Sequence, residues 1–349
     1  MRMLGIETSC DETSAAVVSD TNGTWTIGSN IVASQAAIHT EWGGVVPELA
    51  SRQHIRDICG VVRAAVDTAK TDLKDIDAIA VTQGPGLVGS LLVGVSFAKS
   101  LALSLNRPLV AVHHLAGHIE SLFLQHGDLP LPLVALVVSG GHTSLYVVKE
   151  LGSYVRVGKT RDDAAGEAYD KVAKLLGLGY PGGPIIDKRA RDGRDDAVAL
   201  PSARMTHADR NNPNLKGDLD FSFSGLKTAV LRHVRERTER DGPLTDSEIN
   251  DISASFQRAA VNALLDRTFE AAERYGALSV GIAGGVSANS RLRKDFADRA
   301  ARLGFPAYVP AISLSTDNAA MIAAAGLRNF HAGKRAAMDL NADPSLELT

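Results

Sequence analysis

The strongest constraint on this chain is that one order of apolar runs and helical periods occurs in it twice. Apolar, β-rich runs at residues 3–8, 14–19 and 25–32 are separated by short polar or glycine-containing turns and read as three strands. Pro47 then sits where a first helical turn tolerates it, and Ile55, Ile58, Val62, Ala65, Val66 and Ala69 recur at helical spacing. A strand at 76–82, a helix near 88–105 and a strand at 109–113 follow. The second half runs in the same order, with strands at 133–139, 143–149 and 154–158 and a helix opened by Asp162 and Asp163 that reaches Leu176. Two more helical segments come next, the later with Thr245-Asp-Ser-Glu248 as a capping box. A strand at 278–283, a helix near 289–302, a strand at 306–310 and a helix at 317–330 complete the half. Two such halves predict a duplicated α/β fold, two domains around a central cleft. The aperiodic stretch 192–222 reads as a long loop or insertion, and the tail after Gly333 as a weakly ordered end.

Composition narrows the class. The chain has 349 residues, 37 Lys plus Arg against 40 Asp plus Glu, and 45% hydrophobic residues. That profile excludes disordered, collagen-like and disulfide-stapled proteins. Cys10 and Cys59 form no CxxC pair and fit a reducing compartment, the cytoplasm. The N-terminus reaches Glu7 without an apolar core suited to a signal peptide, and no run approaches the ~20 apolar residues of a membrane span, so no membrane partner is expected. A net charge of -3 neither demands nor excludes a nucleic acid.

Gly84-Pro-Gly86-Leu-Val-Gly89 matches GxGxxG between a strand and a helix. A dinucleotide site also wants an acid about 20 residues on, and the first Asp or Glu after Gly89 is Glu120. A glycine turn that packs a helix closely on a sheet is the favoured reading. Two polar turns, Glu7 to Ser14 and Val138 to Ser144, occupy matching positions in the two halves. Their small residues let backbone N–H groups approach an anion, which points to a nucleotide-type ligand.

His114 and His118 stand at i and i+4, a spacing that lets two imidazoles share a metal ion and that packed histidines also adopt. Leu115 occupies the place of the glutamate that HExxH requires, which disfavours a metalloprotease. Asp317 offers a third ligand or a plain helix cap. Two imidazoles and one carboxylate leave open positions on Fe(II) or Zn. Gly284-Gly285-Val-Ser-Ala-Asn289 reads equally as a tight turn or as a surface for a flat ligand.

The segments Met3-Leu-Gly-Ile-Glu-Thr-Ser-Cys-Asp-Glu-Thr, Gly43-Gly-Val-Val-Pro-Glu-Leu-Ala-Ser-Arg, His113-His-Leu-Ala-Gly-His, Val138-Ser-Gly-Gly-His-Thr, Asp162-Asp-Ala-Ala-Gly-Glu-Ala-Tyr-Asp-Lys, Phe221-Ser-Phe-Ser-Gly-Leu-Lys and Ala283-Gly-Gly-Val-Ser-Ala-Asn, with the Gly84 motif, resemble the bacterial TsaD family. These are tRNA N6-adenosine threonylcarbamoyltransferases, once labelled sialoglycoproteases, and the resemblance covers roughly residues 1–332. It implies the actin and sugar-kinase (ASKHA) ATPase fold, with residues 1–132 and helix 317–332 in one domain and 133–316, carrying inserted helices and loop 177–275, in the other. It implies that His114, His118 and Asp317 hold one divalent metal per subunit, usually iron, with zinc as the alternative. It further implies that Val137, Val138, Ser139, Gly140, Gly141, Asp170, Gly183, Asp187 and Asn289 line the site for threonylcarbamoyl-AMP. Some archaeal and eukaryotic members carry a tyrosine near the metal where Val137 aligns, so three protein ligands are expected here.

The implied reaction moves the threonylcarbamoyl group from its adenylate to N6 of the adenosine 3′ of the anticodon in tRNAs reading codons that begin with A. Asp11 is the candidate general base, with Glu12 second, since both lie on a turn expected to face the cleft. Lys188, Arg189, Arg191, Arg194, Lys227, Arg232, Arg235, Arg237 and Arg240 are candidate phosphate contacts for tRNA. Implied protein partners are a TsaB-like paralogue and a TsaE-like small ATPase. An actin-like ATPase or small-molecule kinase is the runner-up, with no use for the histidine pair, and a nucleotide-sensing scaffold is a third reading.

Overall fold

The computed structural model describes residues 1–202 and 219–348. Its first half contains β1 (Arg2–Glu7), β2 (Glu12–Thr21), β3 (Thr24–Ser34), α1 (Ala36–Thr40), α2 (Pro47–Thr68), β4 (Ala78–Gly84), α3 (Val88–Leu105), β5 (Leu109–His113) and α4 (His114–His126). The second half opens with β6 (Leu133–Val138), β7 (Thr143–Glu150) and β8 (Ser153–Lys159). It continues with α5 (Ala165–Leu175), α6 (Gly182–Ala190), α7 (Ser224–Asp241), α8 (Asp246–Arg274), β9 (Ser279–Ala283), α9 (Ser290–Leu303), β10 (Ala307–Tyr308), α10 (Ile312–Ser315) and α11 (Ala319–His331). The two five-stranded sheets have the orders β3-β2-β1-β4-β5 and β8-β7-β6-β9-β10. In each, the first strand pairs antiparallel with the second and parallel with the fourth. The duplication expected from the sequence is therefore present in the strand order.

The chain forms two compact units, Met1–Leu129 with Glu150–Tyr154 and Pro310–Thr349, and Pro130–Lys149 with Val155–Val309. In the first, the period of two along each strand separates two cores. Leu4, Ile6, Ala15, Val17, Ile79 and Val81 face α2 and α3, whereas Met3, Ala16, Val18, Ala78 and Ala80 face α11. The α11 face is built from small residues on both sides, so the helix approaches the sheet closely. A Cβ on Gly5 would lie 2.3 Å from the carbonyl oxygen of Ala319, and one on Gly117 of α4 would lie 2.9 Å from Ile322. These absences let α11 sit close on β1 and α4 sit close on α11, and so set where His114, His118 and Asp317 are held. In the second unit one core gathers Tyr169, Phe221, Phe223, Phe256, Phe269 and Phe296, each worth roughly 2 kcal/mol of apolar burial.

Several local expectations change. Asp162 and Asp163 do not open α5, whose first N–H, on Ala165, donates to Thr143 Oγ1 at 2.9 Å. Asp162 instead accepts from the Phe223 and Ser224 N–H groups at the start of α7, at 2.8 and 3.2 Å. The strand expected at 306–310 is limited to Ala307–Tyr308, and the last helix starts at Ala319 rather than 317. Most of the loop expected at 192–222 falls on 203–218, outside the described residues.

The tail after Gly333 is docked on the first unit rather than weakly ordered. Ala336 bridges Leu109, the Asp343 N–H donates to Gln83 O at 2.9 Å, and the Gly86 N–H donates to Pro344 O at 3.3 Å. Gly84 has no Cβ because Asp343 O would lie 1.8 Å from it. The GxGxxG motif thus seats a chain segment, in line with close packing and against a dinucleotide. Helix α3 is long and apolar enough to cross a membrane by length and composition, which the sequence reading passed over. Here Leu91, Val95, Ala98 and Ala102 of α3 join the core of the first unit, and Lys99 Nζ donates to Leu340 O at 3.0 Å.

Candidate metal centre and anion-binding turns

Strand β5 ends at His113, whose side chain accepts from the Leu115 N–H and caps α4. His114 and His118 therefore start the helix on one face, with ring centroids 4.8 Å apart and planes at 80°. Asp317 meets them from the short link between α10 and α11, its Oδ1 3.1 Å from His118 Nε2 and 3.5 Å from His114 Nε2. Candidate ligand atoms of the three all fall within 4.8 Å of one another. Asp317 is not spent as a helix cap, because Asn318 fills that role by accepting from the Met321 N–H at 3.1 Å.

His118 is fully buried, and among the described residues only the Asp317 carboxylate approaches its Nε2, without the alignment of a good hydrogen bond, while Nδ1 has no partner. An unsatisfied buried polar group costs about 1–3 kcal/mol, and a metal ion is the ligand that two imidazoles and a carboxylate at these distances fit. The side chain of Asp317 is 18% exposed against 5% and 0% for the histidines, so the centre is open on the Asp317 side. Burial opposes a charge on His114, but the carboxylates of Asp317 and Glu7 outweigh it and raise its pKa to about 9. Burial, with the charge on His114 beside it, holds His118 below the ordinary histidine value.

The sequence reading missed Glu7, Ser9 and His54 around this centre. Burial tends to raise the Glu7 carboxyl, but His114 and the Ser9 N–H bring it below the usual range. Ser9 Oγ lies 3.2 Å from His114 Nδ1. His54 of α2 places Nε2 2.9 Å from Cys10 O and Nδ1 2.8 Å from Thr13 Oγ1, which fixes the turn carrying Asp11, whereas Glu12, expected on the same turn, is the first residue of β2 and pairs with Ser34. Both acids are half-buried. Burial, with the charges of Asp317 and Asp11, pushes Glu12 well above the ordinary carboxylate value.

In the second unit, the Ser139–His142 turn closes on itself through Ser139 N to His142 O, 2.8 Å, and His142 N to Ser139 Oγ, 3.2 Å. The start of α5 rests on its carbonyls. Gly140 and Gly141 are exposed, and their N–H groups donate to nothing among the described residues. The side chains of Val137 and Val138 are fully buried in β6, so only their backbone atoms are open to a ligand.

Asp170 accepts from the Gly182 N–H at 2.7 Å and so anchors the start of α6, where Gly183 lies. Asp187 of α6 accepts from Gln257 Nε2 at 3.2 Å and from Ser290 Oγ at 2.8 Å. Asn289 donates from Nδ2 to Gln257 Oε1 at 2.7 Å and accepts from the Leu292 N–H at 2.9 Å, capping α9. Gln257, in the middle of α8, thus joins two expected site residues, and no local sequence signal marks it.

Most candidate tRNA contacts are engaged. Lys227 pairs with Asp163 at 2.7 Å, Arg237 with Glu248 at 2.6 Å, Arg189 with Asp246 at 3.0 Å, and Arg240 with Asp241 at 2.7 Å. Arg191 and Arg194 reach Asp187 and Asp251, each at 3.3 Å. Lys188, Arg232 and Arg235 are exposed and have no acidic partner among the described residues.

Residues 26–324 match the family described as "TsaD: tRNA N6-adenosine threonylcarbamoyltransferase". Proteins named tRNA N6-adenosine threonylcarbamoyltransferase from Koribacter versatilis, Thermodesulfovibrio yellowstonii and Symbiobacterium thermophilum are 51%, 50% and 52% identical to the chain. The matches cover 99%, 100% and 99% of it and 98%, 100% and 96% of those proteins. Full-length HypF in its phosphate- and nucleotide-bound form superposes with a TM-score of 0.60 at 14% identity, over 95% of this chain and 46% of that one. Component A of (R)-2-hydroxyglutaryl-CoA dehydratase from Acidaminococcus fermentans gives 0.53 at 12%, over 96% of this chain and 100% of that one. These two structures share the fold, the duplicated actin-like arrangement.

Proposed function

Because the chain belongs to the TsaD family of tRNA N6-adenosine threonylcarbamoyltransferases, we propose that it carries the threonylcarbamoyl group from threonylcarbamoyl-AMP to N6 of the adenosine 3′ of the anticodon in tRNAs reading codons that begin with A, releasing AMP. The observation that carries this reading into the geometry is the convergence of the buried His114 and His118 with Asp317, for which a plain kinase has no use. Those residues would hold one divalent metal, iron or alternatively zinc, which supplies Lewis-acid stabilisation to the phosphate side of the anhydride.

The chain's own residues orient and deprotonate. The free N–H groups of Gly140 and Gly141 are donors for phosphate or for a developing oxyanion. The backbone of Val137 to Gly141, with Asp170, Gly183, Asp187 and Asn289, lines the adenylate. N6 attacks the carbamoyl carbon, the new C–N bond forms, the C–O bond to AMP breaks, and the N6 proton passes to a carboxylate at position 11 or 12. Asp11 and Glu12 share that role as candidates. Lys188, Arg232 and Arg235 are the cations free to meet tRNA phosphates, whereas Lys227 and Arg237 would first leave their carboxylates. A TsaB-like paralogue and a TsaE-like ATPase as partners, and a cytoplasmic setting, belong to the same reading.

Mass spectrometry of tRNA nucleosides after incubation with threonylcarbamoyl-AMP and the two partner proteins tests it. Threonylcarbamoyladenosine from the wild type and none from His118→Ala is the expected result. No modified nucleoside in the full mixture, with ATP hydrolysed by the chain incubated alone, would favour the kinase reading instead.

A further inference from the structure

The Glu7 carboxylate has no role in the reading above. It ends β1 fully buried, with no Lys or Arg paired to it among the described residues. Its Oε1 accepts from the Ser9 N–H, its Oε2 accepts from the Thr82 hydroxyl at 2.8 Å, and the same Oε2 lies 3.0 Å from His114 Nδ1. Thr82 comes from β4, which runs parallel to β1 beside it, so two neighbouring strands clamp the carboxylate. On the far side of the same imidazole, Nε2 faces Asp317.

A buried carboxylate with no Lys or Arg beside it is costly unless its charge is answered nearby, and here the group that faces it is the imidazole of His114. We propose that Glu7 is the positioning residue of the metal centre: it accepts the Nδ1–H of His114, fixes that tautomer and ring orientation, and leaves the Nε2 lone pair directed at an ion shared with His118 and Asp317. This rests on the metal reading of the triad. Glu7 and Asp317 together carry the two negative charges that balance a divalent cation in a buried site. A carboxylate behind a ligating histidine is a recurrent arrangement, and its loss weakens metal binding by roughly 10–100-fold.

The test titrates Zn²⁺ into the metal-free full chain at one pH, comparing wild type, Glu7→Gln, Thr82→Val and His118→Ala. The readouts are affinity, melting temperature with and without metal, and the ¹⁵N shifts of the His114 ring. Glu7→Gln is expected to lose about tenfold or more in Zn²⁺ affinity while its metal-free melting temperature stays within about 3 °C of wild type. Thr82→Val moves affinity the same way by less. In the zinc-loaded wild type, His114 shows a protonated Nδ1 and a metal-bound Nε2, a readout that stands even if Glu7→Gln fails to fold. Unchanged affinity in Glu7→Gln, or zinc on Nδ1, overturns the proposal. A wild type that binds no better than His118→Ala overturns the metal reading beneath it, and the two failures are told apart by that control.

Discussion

Two polar clusters, one in each unit, treat their buried atoms in opposite ways. In the first, His118 is enclosed with no partner on Nδ1 among the described residues and only the Asp317 carboxylate near Nε2, and His114 converges beside it. In the second, Asp187, Gln257, Asn289 and Ser290 satisfy one another and cap α9 as well. Both clusters are polar and buried, so residue type does not distinguish them. Satisfaction does: the second holds its shape unaided and offers a ligand a preformed surface, whereas the first carries a penalty of about 1–3 kcal/mol per orphaned group that a ligand must offset.

The largest expected break comes from the first cluster. His118→Ala should abolish stoichiometric metal binding and cut the transfer rate by about a thousandfold, since a Lewis-acid contribution of several kcal/mol is lost. Metal analysis and single-turnover nucleoside mass spectrometry read both. Next is Gly5→Ala, which places a Cβ against the Ala319 carbonyl and pushes α11 off the sheet. A stability loss of about 1–3 kcal/mol in urea unfolding is expected, with weaker metal binding because Asp317 moves with α11.

Asn289→Ala probes the other side of the comparison. It removes the α9 cap and one partner of Gln257, which should cost roughly 1–2 kcal/mol and leave metal content unchanged. If it lowers metal content as well, the separation of the two clusters fails.

The smallest effect is at the N-terminus of α8, the helix that carries Gln257. Backbone and hydroxyl donors of Thr245, then Arg237, hold the Glu248 carboxyl down to about 2. A depressed folded-state pKa means the capping box stabilises fully above the ordinary carboxylate pKa, and that stabilisation fades as the pH falls toward about 2. The urea midpoints of wild type and Glu248→Gln should differ by a constant amount above pH ~5 and converge in acid.

Much of this was legible in the sequence, for local reasons. The succession of strands and helices followed from apolar periods, the Thr245 capping box from its four residues, and the His114/His118 face from helical spacing. Glu7 was read only as part of an anion-binding turn, because its meaning depends on His114, 107 positions away. Gln257 was hidden for the same reason, its partners lying 70 and 32 residues off. The docked tail escaped because its partners, backbone groups of Gln83, Gly86 and Leu109 and side chains of Gln83, Lys99 and His113, lie far from it in sequence.

The central claim is that α4 and α11, brought together by missing side chains at Gly5 and Gly117, form a metal site with two imidazoles and one carboxylate. X-ray absorption spectroscopy of the purified, metal-loaded full chain tests it most directly. The account predicts one metal per chain, a first shell of nitrogen and oxygen with two imidazole signatures, and loss of one imidazole in His118→Ala. A sulfur ligand, or a spectrum identical in His118→Ala, would contradict it.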